Sequence, residues 1–181
     1  MQATTSPLDC TCISAVGALH ASGACFSRDR RYRYGLWRET FWGEPRVLMV
    51  VMLNPSTADE TDPDATITRV TRYATKQGFN RLLVANAFAL VSTDPRVLVA
   101  DPLGAIGPSN DAHLGAYAKL ADHIVLGWGA NLERYELAFR RITLQSILGN
   151  YDAHAWKRTK NGSPGHPLYI SAKVVAEPFV W

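Results

Sequence analysis

Cysteine is scarce in this 181-residue chain, with only Cys10, Cys12 and Cys25, all ahead of Phe26. An odd count confined to one end offers no conventional disulfide framework and suits a reducing cytosol, so a cytoplasmic location is expected. Cys10, Cys12, His20 and Cys25 make a four-ligand zinc set on paper. Cys-x-Cys is not the usual ligand-pair spacing, however, so the thiols read as incidental, and neither metal nor cofactor is expected. Long apolar runs are missing too. The small-residue stretch Ile13 to Ala24 has no basic flank and no extended apolar centre, which argues against a signal peptide or membrane span. A Walker loop, a Rossmann glycine fingerprint and a Gly-x-Ser-x-Gly elbow are all absent. Nucleotide-driven and serine-hydrolase chemistry thereby lose their usual signatures. Concentrated basicity is lacking as well: a formal charge of +3 and a pI near 8.8 permit a nucleic-acid or phosphate partner without requiring one.

What is present is a 47% hydrophobic chain able to bury one substantial core. Residues 1–24 show no period and read as a weakly ordered leader, leaving 25–181 as a single α/β domain. Tyr32 to Arg38 alternates as a half-exposed strand does, and Gly43-Glu44-Pro45 separates it from the apolar run Val47 to Leu53, suggesting an N-terminal strand pair joined by a turn. Ile67, Val70, Tyr73 and Ala74 recur at helical spacing before Gly78. Further buried strands are expected at 82–88 and 123–129, with a last short one at 168–170. Helices are expected at about 110–120 and 131–148, and 92–108 reads as a long loop rich in Pro, Asp and Gly. This alternation predicts a three-layer αβα sandwich around a mostly parallel sheet of about four strands.

The carboxyl ends of parallel strands share one side of a sheet, and unusual residues sit at each expected end. Asn54-Pro55-Ser56 follows the first apolar strand, Asn86 and Phe88 close the second, Trp128-Gly129 close the third, and His166 precedes the last. Asn54 before Pro also suits a plain turn. Asn86 is more pointed, because an amide inside an apolar strand is costly unless something pairs with it. Asp59, Asp62 and Asp64 precede a helix, where at least one acts as a cap; Asp59 is the candidate general base. Lys157, Arg158 and Lys160 in a Gly/Pro loop can grip phosphates while His166 is presented beside them. The same loop also reads as a solvated surface.

Between Phe26 and Phe179 the chain resembles the family called domain of unknown function 1643. The motifs are Tyr32-Arg33-Tyr34, Met52 to Asp59, Asp64-x-Thr66, Asn86-Ala87-Phe88-Ala89, Gly107-Pro108-x-Asn110-Asp111, Trp128-Gly129 and Gly165-His166-Pro167-Leu168-Tyr169. More distantly, the order of Asn54-Pro55, Asn86, Leu126 to Ala130 and His166-Pro167 resembles the uracil-DNA glycosylase superfamily. That resemblance implies that Asn54 positions water, Asn86 reads a base edge, and His166 bonds the base carbonyl as charge develops. It also implies that Leu168 or Tyr169 fills the vacated stack. Asn54 stands where the most active members carry Asp, Ser56 and Thr57 stand where a stacking aromatic is usual, and the four cysteines of an iron-sulfur cluster are absent. The expected activity is hydrolysis of the N-glycosidic bond of a modified or damaged base in DNA, with Pro55, Ser56, Phe88, Trp128 and Gly129 around the base. A non-catalytic binder of nucleic acid or nucleotides is one alternative. A hydrolase or transferase for small nucleosides or nucleotides, with Asp59 as base, is the other.

Overall fold

The computed structural model describes residues 4–6, 10–16, 20–40, 42–56 and 64–181, the first of these by backbone alone. In chain order the elements are β1 (Thr4–Ser6), β2 (Cys10–Val16), β3 (His20–Phe26), β4 (Arg33–Thr40), β5 (Val47–Met52), α1 (Ala65–Lys76), β6 (Arg81–Asn86), α2 (Val97–Ala100), α3 (Pro102–Ile106) and α4 (Asn110–Ala118). They continue as β7 (His123–Leu126), α5 (Asn131–Arg134), α6 (Phe139–Leu148), β8 (Ala153–Ala155), a 3₁₀ turn at Pro167–Tyr169 and β9 (Glu177–Pro178).

Side-chain alternation along β5 builds both cores. Leu48, Val50 and Met52 pack with Ile67, Val70, Tyr73 and Ala74 of α1. Met49 and Val51 join Leu98, Ala105, Leu114, Leu132, Leu144 and Leu148 from the helices of the opposite face. A strand covered on both faces is apolar at every position, as Val47 to Met52 is. The αβα layering expected from the sequence is therefore present.

β6, β5, β7 and β8 pair in parallel in that order. The connection from β5 steps to β6 on one side, whereas those from β6 to β7 and from β7 to β8 run the other way across the sheet, so right-handed crossovers put α1 on one face and α2 to α6 on the other. A crevice opens where those connections diverge, beyond the carboxyl ends of β5 and β7.

The sheet is larger than the expected four strands: among the described residues it has nine, in the order β1-β2-β3-β4-β6-β5-β7-β8-β9. β2 and β3 occupy much of the segment expected to be a loose leader. Their residues are small, and β3 is buried on both sides from Ala21 to Phe26, so no alternation betrays it. β4 does not pair with β5. It runs antiparallel to β6, with Leu36 opposite Val84, and thus caps the parallel set. The fourth parallel strand is β8, whereas Leu168 and Tyr169 of the last strand expected at 168–170 fall in the 3₁₀ turn, since Pro167 supplies no N–H to a ladder and suits the first position of a helical turn. Two short helices, α2 and α3, interrupt the expected long loop. The expected helix 131–148 is broken between α5 and α6, where Glu136 takes a positive φ of 57°. Cys12 and Cys25, register partners across β2 and β3, are joined by a disulfide, contrary to the reading of incidental thiols. Among the described residues, no helix is long and apolar enough to cross a membrane.

Candidate functional site

A cavity of about 660 Å³ lies at the carboxyl ends of the parallel strands. Asn54 and Ser56 after β5, Asn86 at the end of β6, Trp128 and Gly129 after β7, and Lys157 to Lys160 after β8 all line it, together with His166, Leu168 and Tyr169. Residues from four strand ends thus describe one site.

Asn86 forms its floor. The side chain is 1% exposed, and Nδ2 has no hydrogen-bond partner among the described residues. The backbone around it is held firmly. Asn110 Nδ2 donates to the carbonyls of Asn86 at 3.0 Å and Ala87 at 3.2 Å. Arg140, fully buried, donates from Nε to the Ala87 carbonyl at 2.6 Å and pairs through Nη2 with Asp111. A donor buried without a partner costs about 1–3 kcal/mol, so this amide is aligned for an acceptor that folding does not provide. Trp128 adds a second such donor: its indole Nε1 is also buried without a partner among the described residues, while the ring packs edge-on to Phe179.

Asn54 is arranged differently. Its Nδ2 donates to the carbonyls of Ser92 at 2.8 Å and Pro55 at 3.1 Å, which bind the loop after β6 to the end of β5. Those partners only accept, so the amide orientation is defined and Oδ1 is the end left to accept from a ligand or water.

His166 stands opposite on the loop before the 3₁₀ turn. Its Nδ1 accepts from the Leu168 N–H at 3.3 Å, which assigns the ring hydrogen to Nε2. Burial pushes its pKa below the ordinary imidazole value, with the Asp64 carboxylate pulling the other way. The ring is therefore neutral at pH 7 and offers one donor. Gly129 lets this loop approach: its φ is +76°, its N–H donates to the Pro164 carbonyl at 2.8 Å, and a Cβ there would sit 3.4 Å from that of His166. Asp64, also on the cavity wall, caps α1 by accepting from the Ile67 N–H at 2.8 Å.

The basic loop divides by role. Arg158 donates to the carbonyls of Gly162 and Val180 and lies over the Phe179 ring at 4.1 Å, so it fastens the loop to the carboxyl-terminal segment. Lys157 and Lys160 are exposed on the rim. Leu168 and Tyr169 are exposed at the mouth, Tyr169 to 87%.

Two expected site residues lie elsewhere. Phe88 is buried in the core of the α2 to α6 face, and Pro55 is buried behind Asn54; neither lines the cavity. Asp59 lies outside the described residues. Arg33, named above only within the Tyr32-Arg33-Tyr34 motif and not as a site residue, is 3% exposed and lines the cavity. Asn110, Asp111 and Arg140 position the floor from beneath; the first two belong to the Gly107 to Asp111 motif, whereas nothing local to Arg140 signals its burial.

Residues 33–168 match the family model described as Protein of unknown function (DUF1643), and the chain belongs to that family. A comparison with curated proteins returned no significant match.

Proposed function

We propose that this member of the DUF1643 family is a nucleobase-recognising enzyme that hydrolyses the N-glycosidic bond of a modified or damaged base in DNA. The observation that carries this reading is the unpartnered amide of Asn86 on the cavity floor. A base carbonyl is an acceptor of the right kind for it, and the indole N–H of Trp128 favours a ligand with a further acceptor. Neutral His166 offers Nε2–H to a second carbonyl, where negative charge gathers as the bond to the sugar breaks. The C1′–N electron pair leaves with the base, and water held by Asn54 Oδ1 forms the new C1′–O bond. The proton that water loses ends on the released base. Lys157 and Lys160 suit phosphates on the approaching strand, and Leu168 or Tyr169 suits the stack vacated by an extruded base.

One observation favours a second reading, a binding module without turnover. Asn54 cannot ionise, and its amide nitrogen is committed to backbone carbonyls. The test is mass-spectrometric detection of free base from a panel of normal, deaminated and hypermodified DNA, single- and double-stranded. Release by the wild type that is lost in His166→Ala and Asn86→Ala supports the enzyme. Base-dependent DNA binding with no release across the panel replaces it with the binding module. Release from free nucleosides alone would favour the small-substrate alternative.

A further inference from the structure

On the opposite side of β4 from the parallel strands, three sulfurs lie together and an imidazole stands against one of them. Cys10 and Cys12 are two apart on β2 and share a face, and Cys25 is the register partner of Cys12 on β3. All three Sγ atoms lie within 4.8 Å of one another. Cys10 Sγ is 4.0 Å from Cys12 Sγ and 3.3 Å from Nε2 of His113, on α4. Tetrahedral zinc with sulfur at about 2.3 Å and nitrogen at about 2.0 Å separates its ligand atoms by roughly 3.5–3.8 Å; Cys10 already stands at about that spacing from Cys12 and from His113, and opening the Cys12–Cys25 disulfide frees the other two sulfurs to take theirs. His113 is 3% exposed, and its Nδ1 lies 2.8 Å from the Ser109 carbonyl. A carbonyl only accepts, so Nδ1 carries the hydrogen and Nε2 turns its lone pair toward Cys10 Sγ. That is the tautomer of a metal-ligating histidine, with the outer partner that orients one. Tyr34 stacks on the ring at 4.6 Å, closing the site in an apolar shell.

We propose that Cys10, Cys12, Cys25 and His113 bind one Zn²⁺ in the reduced chain. His20, the histidine the sequence suggested, lies exposed at the far end of β3 from Cys25 and takes no part. The Cys12–Cys25 disulfide is the oxidised form of the same cluster. A dithiol or phosphine reductant supplies two electrons, two protons complete the step, and the S–S bond gives way to two thiols. Zinc then displaces one proton from each of three thiols and none from the imidazole, releasing three per ion. The bound ion ties β2 and β3 to α4, whose first residue, Asn110, holds the backbone beneath Asn86. The thiols lie outside the family-matched residues 33–168, and the site stands independently of the reaction proposed above.

The test is anaerobic titration of the metal-free chain, reduced with a phosphine, with Co²⁺ and then Zn²⁺. One Co²⁺ per chain with intense thiolate-to-cobalt charge transfer, displaced by one Zn²⁺ and accompanied by a raised thermal midpoint, is the expected result. His113→Cys should retain stoichiometric uptake, and His113→Phe should weaken it. Uptake by the reduced wild type no greater than that of a Cys10→Ser/Cys12→Ser/Cys25→Ser variant overturns the proposal. That comparison reads the wild type, so it survives misfolding of any single variant.

Discussion

Asn54 and Asn86 close neighbouring parallel strands and line the same cavity, yet their amides are treated in opposite ways. Nδ2 of Asn54 holds the loop after β6 through the Ser92 and Leu90 carbonyls. Nδ2 of Asn86 holds nothing, although the backbone beneath it is braced by Asn110 and Arg140. One asparagine builds the site, and the other is exhibited by it. Residue type alone does not distinguish a turn former from a ligand reader; the location of the partners does.

The largest effect expected is at the donor that shares the cavity with Asn86. His166→Ala should lower base release by about 10²–10³-fold, the scale of one oxyanion-type donor, with little change in urea stability. Beneath the floor, Asp111→Ala should cost about 3 kcal/mol by urea denaturation, because it leaves the buried Arg140 guanidinium without its carboxylate. That figure is the low end of the range for buried pairs, since Asp111 itself is 44% exposed. Asn54→Ala should lose about 1–3 kcal/mol, as the Ser92 and Pro55 carbonyls lose their donor. If Asn86→Ala lost as much stability as Asn54→Ala, the contrast between the two amides would break.

Acid sharpens the same picture through His166. Its folded pKa lies below the unfolded value of about 6.5, so the unfolded chain takes up the proton first. The stability contribution is complete above about pH 6.5 and is lost as pH falls through the folded pKa, where protonated Nδ1 can no longer accept from Leu168. Thermal midpoints against pH should therefore fall less steeply in His166→Gln. The smallest effect is on the rim: replacing Lys157 and Lys160 with alanine should reduce the slope of log affinity against log salt by about 1 for each phosphate no longer neutralised. Arg158→Ala should instead loosen the loop and leave that slope unchanged.

The layered α/β plan was legible because Val47 to Met52, Leu82 to Ala85 and Ile124 to Leu126 are unbroken apolar runs, and buried parallel strands need such runs. The convergence of Asn54, Asn86, Trp128 and His166 followed from that plan. The antiparallel extension was not legible, since β2 and β3 are built mostly from small residues, β2 half-buried and β3 buried, without alternation in either. Nor were the braces of the floor, because Arg140 and Asp111 are 29 positions apart and meet only through packing of α4 against α6. His113 escaped notice for a similar reason: its partner Cys10 is 103 residues away.

The most direct test of the central claim is a thermal melt of Asn86→Leu with and without a short oligonucleotide carrying the base that the wild type selects. The account predicts an unliganded midpoint equal to or above that of the wild type, because an unpartnered donor has been removed, and no rise on adding the oligonucleotide. A lowered unliganded midpoint together with a wild-type rise would show that the Asn86 amide serves the fold and not a ligand.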